Sequence, residues 1–143
     1  MHNHTFSNPK LVLERLNRAI NNHDIEAFMS CLHSDYRSEQ PVHPARAFGT
    51  GDQARKNWSA LFNDMPDFQA EVLRVAIEGD TIWSEWEWRG THTDGTSAAF
   101  RGVTIFGVQD DRIVWGRLYM EPVDEGGGDI DEAVREWTAG SSE

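Results

Sequence analysis

One cysteine, Cys31, is the whole thiol inventory, so no disulfide can close within the chain. No stretch approaches the ~20 apolar residues of a membrane-spanning helix, and residues 1–9 contain no apolar run of the kind a secretory leader needs. The expectation is a cytoplasmic protein with no membrane partner. Basic residues are scarce: 13 Lys and Arg stand against 24 Asp and Glu, the formal net charge is -11, and no basic cluster occurs. Binding to a phosphate backbone needs a basic stripe that releases counterions, so nucleic acid is not an expected partner. The histidines show no short ligand spacing supported by cysteine, and no metal site is expected from them. Apart from Gly126-Gly127-Gly128 there is no repeat or low-complexity block.

What the chain does have is an alternation. After the Gly79-Asp80 turn, Ile82, Ser84, Trp86, Trp88, Gly90 and His92 fall at every second position, with Trp83, Glu85, Glu87 and Arg89 between them. A period of two marks a strand, because successive side chains on an extended chain point to opposite faces. Two tryptophans on one face, followed by a glycine and a histidine, make an aromatic wall that turns polar at its end. Such a wall suits a pocket for a flat organic molecule, or plain core packing.

At 143 residues the chain has the size of one domain, able to bury a core and keep a cavity. Residues 1–125 read as that domain and residues 126–143 as a Gly-rich acidic tail with a short helix around Ile130, Val134 and Trp137. His2 and His4 fall in an N-terminal segment expected to be disordered. Asn8-Pro9 opens a first helix with Val12 or Leu13, Leu16, Ala19 and Ile20 on one stripe, and Asn21 and Asn22 can end it in a left-handed conformation. Asp24 caps a second helix with Ile25, Phe28, Met29 and Leu32 on its apolar side, and Cys31 reads as a buried thiol there. Residues 33–51 are irregular and polar, with Tyr36, Glu39 and His43 set among Pro41 and Pro44. Asp52 caps a third helix with Ala54, Trp58, Leu61, Phe62 and Met65 inward, stopped by Pro66. Four strands follow, over residues 68–78, 81–92, 98–108 and 113–121, the first covered on both faces. At about ten residues each the strands are long enough that the sheet must twist and curl.

Helix hairpin, polar loop, third helix and four long antiparallel strands resemble the cone-shaped α+β fold of the nuclear transport factor 2 type. Within it, the chain is similar to the SnoaL-like polyketide cyclase group. Three stretches carry the resemblance: Trp58 through Met65-Pro66-Asp67; Gly79-Asp80 through Trp86, Trp88 and Gly90-Thr91-His92; and Arg101-Gly102 through Phe106, followed by residues 113–122. The resemblance implies three N-terminal helices on the concave face of a strongly curved, mainly antiparallel sheet. It also implies a cofactor-independent reaction on a small hydrophobic ketone or polyketide-like substrate, by aldol cyclisation or isomerisation.

In such cyclases an acidic residue near the end of the last strand moves the proton. That position is Glu121 here, where aspartate is usual. Arg117 and Tyr119 share its parity, so all three should face the cavity together, with aromatic surroundings pushing the carboxyl toward its neutral form and Arg117 opposing this. Glu39 is the second catalytic candidate, paired with Glu121 or else a solvated loop carboxylate. Trp86, Trp88, Tyr119, Arg117, Thr104, Tyr36, His43 and Trp58 are the expected substrate contacts, and a polyketide-like ketone the expected ligand. Gly102 and Thr104 stand where the best-known cyclases offer glutamine and histidine. A non-catalytic dimeric binder using the same pocket is therefore the alternative, and epoxide hydration ranks last because the third strand offers Arg101 and no acid. A homodimer is expected through the outer sheet face, where Trp83, Val103 and Ile105 would otherwise leave an apolar patch.

Overall fold

The computed structural model describes residues 8–138. His2, His4 and the ends of the two expected tails lie outside them. Helix α1 (Pro9–Asn21) starts where Asn8 accepts a hydrogen bond from the Leu11 amide, with proline in the first turn. Its left-handed residue is His23 (φ 52°), one past the expected asparagines. Helix α2 (Ile25–Ser30) is capped by Asp24 as expected, but stops two residues before Leu32. Helix α3 (Gly51–Asp64) is capped by Thr50 rather than Asp52. Asp52 instead lies in the first turn, where a carboxylate favours the helix dipole.

Among the described residues the sheet has five strands, not four. Strand β1 (Leu32–Glu39) occupies part of the stretch read as irregular and pairs in parallel with the last strand. Its register slips between Leu32 and Arg37; the buried Leu32, Tyr36 and Ser38 share one parity, but Ser34 between them is exposed. With only two large apolar residues in eight, the period-two signal is absent. The other strands are β2 (Gln69–Glu78), β3 (Thr81–Thr91), β4 (Ser97–Gln109) and β5 (Arg112–Pro122), antiparallel to one another, and the order is β1-β5-β4-β3-β2. The β4–β5 turn puts Asp110 and Asp111 at φ 55° and 56°, as a tight two-residue hairpin requires. Strand β2 is an edge, and Leu73, Val75 and Ile77 are exposed, so it is not covered on both faces.

The three N-terminal helices close the concave side, with α1 against β2, β3 and β4, and α2 and α3 against β1. The core between them holds Leu16, Ile20, Phe28, Phe68, Ile82, Trp86 and Ile113. At the end of β3, Asp67 accepts from the Thr91 amide (2.7 Å) and hydroxyl (2.8 Å), while His92 Nδ1 lies 2.6 Å from Asp64 Oδ2. These contacts fasten the end of α3 to the sheet. Cys31 is buried, just past α2, and burial pushes its thiol pKa up. Helix α4 (Ile130–Thr138) buries no residue, and Ile130, Val134 and Trp137 are exposed along one side of it.

Candidate functional site

The inner face of β3 carries Ser84, Trp86 and Trp88, opposite Thr104, Gly102 and Phe100 of β4. Continuing across β5, Thr104 faces Leu118 and Gly102 faces Met120. Gly102 does more than add space: a Cβ there would collide with the Tyr119 carbonyl oxygen, so glycine is what lets β4 and β5 approach. Tyr36 enters from β1, Phe28 from α2 and Trp58 from α3, and with Trp86, Trp88, Thr104 and Leu118 they line a cavity of about 30 Å3. Its walls are rings. Trp58 stands edge-on to Trp88 with centroids 5.4 Å apart, 5.2 Å from Phe28, and Trp88 packs 6.4 Å from Trp86 and 6.1 Å from Phe100.

Polar atoms in this lining are few and buried. Trp86 Nε1 donates to Ser84 Oγ (3.0 Å) and to Thr104 Oγ1 (2.9 Å), and the two hydroxyls are 2.8 Å apart. Tyr36 is buried, which pushes its phenol pKa up. Trp88 Nε1 is buried and has no hydrogen-bond partner among the described residues. Among the described residues no carboxylate, imidazole or cationic side chain lines the cavity.

Five expected substrate contacts therefore line this cavity: Tyr36, Trp58, Trp86, Trp88 and Thr104. The others are elsewhere. Arg117, Tyr119 and Glu121 do share one face of β5, but it is the outer one, since Glu121 pairs across the sheet with Arg101, and Arg101 with Glu87. Glu121 is 47% exposed and its Oε2 lies 2.7 Å from His43 Nε2. Glu39 lies on the same outer face, where Arg117 Nε donates to its Oε1 (3.1 Å). The expectation of a cavity-facing carboxyl beside Tyr119 and Arg117 is thus corrected, as is the Glu39 and Glu121 pair. Each carboxylate has its own cationic or imidazole neighbour, and Leu118 and Met120 take the inward places. His43 touches Glu121 outside the cavity lining.

The outer face is a ladder of charges. Glu87 accepts from Arg89 and from Arg101, which hold its carboxyl below the usual range. Arg117 also lies over the Trp115 ring, 5.5 Å from its centroid. Ile105 is only 7% exposed, because its cross-strand neighbours are Trp83 and Arg117, so the expected apolar patch shrinks to Trp83, Tyr119 and the half-buried Val103. Ser84, which was not among the expected contacts, stands behind the lining and bonds two residues that form it, Trp86 and Thr104. Its signal was present as a small polar residue at the inward parity between Ile82 and Trp86.

Residues 13–115 match the model of the SnoaL-like domain. The chain belongs to the SnoaL-like domain family. No curated protein matches it significantly. Similar solved structures include IdmH, a candidate polyketide cyclase from Streptomyces antibioticus (20% identity, 79% of this chain and 91% of that one, TM-score 0.70). Another is a candidate SnoaL-like polyketide cyclase from Jannaschia sp. CCS1 (18%, 79% and 85%, 0.68). A third is an epoxide hydrolase of the LEH-like type from M. tuberculosis (18%, 78% and 80%, 0.67). At such identities the shared property is the fold, which in this SnoaL-like chain is the expected α+β cone. No described helix is long and apolar enough to cross a membrane.

Proposed function

We propose that this SnoaL-like chain binds a small, uncharged, largely apolar molecule in the aromatic cavity without transforming it. The lining carries this reading: indoles, phenyl rings and hydroxyls converge there, while both candidate acids, Glu121 and Glu39, are engaged on the outer face. A cavity of about 30 Å3 holds roughly one water, so a ligand enters by displacing a side chain. Trp58 is the wall to move, being half-buried on α3 and packed edge-on to Trp88. Titration with a panel of small ketones, lactones and epoxides should give a saturable tryptophan fluorescence change with no new product. The absence of any saturable change across the panel would refute it.

One observation favours a second reading, a cofactor-independent enzyme performing aldol cyclisation or isomerisation on a ketone or polyketide-like substrate. The 2.7 Å His43–Glu121 contact is an imidazole–carboxylate pair able to move a proton, with its substrate against the outer end of β5 instead of in the cavity. Product formation lost in Glu121→Gln with binding intact would support this reading, and full turnover in that variant would remove it. In either case the proposed setting is the cytoplasm, with residues 1–125 as the domain and 126–143 as its tail. A second copy would cover Trp83 and Tyr119 on the outer face. Sedimentation at micromolar concentration should then show a dimer that Trp83→Glu dissociates.

A further inference from the structure

We infer that the cavity ligand presents a neutral oxygen acceptor, a ketone, lactone or quinone carbonyl, and that the indole N–H of Trp88 receives it. The inference rests on the proposal that the cavity binds small molecules. Trp88 is 9% exposed, and its Nε1 has no partner among the described residues although the residue lines the cavity. Around it stand Trp58, Phe68, Trp86 and Phe100, whose ring faces are much weaker acceptors than an oxygen. A buried donor without an acceptor carries a standing penalty, and a ligand oxygen removes it.

Counting hydrogens at the second polar group gives the same sign. Ser84 and Thr104 bring two hydroxyl hydrogens. One lies in the bond between them, and the other has no acceptor among the described residues, while both oxygens already accept from Trp86 Nε1. Thr104 of this pair lines the cavity and Ser84 stands behind it, so the pair has one hydrogen more than it has acceptors for. Among the described residues the lining offers no cation to neutralise a carboxylate or phosphate, so an anion would be buried unpaired. An apolar ring bearing a carbonyl meets both conditions: its carbon skeleton packs on the indoles and its oxygen takes the Trp88 hydrogen.

Cyclohexanone and methylenecyclohexane have nearly the same shape and differ in the acceptor, so calorimetric titration with both tests the inference. Cyclohexanone should bind wild-type protein at least about tenfold more tightly, and Trp88→Phe should remove most of that difference by weakening the ketone alone. In uniformly 15N-labelled wild type, the Trp88 indole proton should move downfield with cyclohexanone and not with methylenecyclohexane, a readout independent of how the variant folds. Equal affinities for the two compounds, or an indole resonance unmoved at ketone saturation, would overturn the inference and leave cavity binding standing. If neither compound binds, cavity binding fails and the inference with it.

Discussion

Replacing Phe68 by alanine tests whether the helices and sheet are held together by the packed rings. Phe68 is fully buried and lies edge-on to both Trp58 and Trp88, with centroids 6.0 Å away in each case. A phenyl ring of this kind buries ~150–250 Å2, worth ~4–6 kcal/mol at about 25 cal/mol per Å2. Alanine keeps part of that, and measured Phe→Ala costs in cores run to about 3–5 kcal/mol. The backbone contact of this residue survives, because His23 Nε2 bonds its carbonyl oxygen (2.8 Å) and not the ring. With a urea slope of about 2 kcal/mol per M, the unfolding midpoint should fall by ~1.5–2.5 M. The space left behind is walled by indoles, so benzene should bind there and recover ~2.7 kcal/mol at a concentration a hundred times its Kd. Leu73→Ala, at a 37% exposed position on the edge strand, should stay within about 0.5 kcal/mol of wild type. A Phe68→Ala cost below about 1 kcal/mol, or no benzene effect, would refute the packing argument.

Two other outcomes follow from the ionisable groups and one from the backbone. Hydrogen bonds from Arg89 and Arg101 to Glu87, from His92 to Asp64 and from the Thr91 hydroxyl to Asp67 hold these carboxyls below their ordinary 4.5 and 3.8. Lowered folded-state values mean stability that is present above the ordinary values and lost as the pH falls through the lower ones. Burial raises Cys31 and Tyr36 above their ordinary 9.0 and 10.0, so their contribution is present below those values and lost as the pH rises past them. The urea midpoint should be flat from about pH 5 to 8 and decline on both sides. An acid limb unchanged in the Glu87→Gln, Asp64→Asn, Asp67→Asn variant would contradict the assignment. Cys31 should react with a thiol reagent at pH 8 only as fast as the chain unfolds, and rapid labelling of the native state would contradict its burial. Gly102→Ala should destabilise by more than 1 kcal/mol, since its methyl meets a backbone carbonyl that cannot rotate aside; a neutral effect in thermal melts would count against the β4–β5 register.

Much of the fold was legible because its signals are local. Asn8-Pro9 and Asp24 announce helix starts through their own side chains, and the Gly79-Asp80 and Asp94-Gly95 turns bracket strands whose observed limits lie within a residue or so of those expected. Trp86, Trp88 and Thr104 reach the cavity because strand parity ties them together. β1 escaped notice because it is a polar edge strand held by a parallel partner about eighty residues away, with Ser34 and Ser38 on the parity of Leu32 and Tyr36, so no apolar alternation shows.

Sequence alone determined which residues travel together on one face of a strand, since a period of two is a property of the extended chain. It could not say which face is inside, because alternation is unchanged when the two faces are exchanged. On β5 both faces carry large side chains, Leu118 and Met120 on one, Trp115 and Tyr119 on the other. The choice came from the curvature of the sheet and the helices closing its concave side, which took Leu118 inward and left Glu121 to His43. The same packing reduced the hollow to about 30 Å3 and left the Trp88 N–H unanswered, facts that depend on distances between elements remote in the chain.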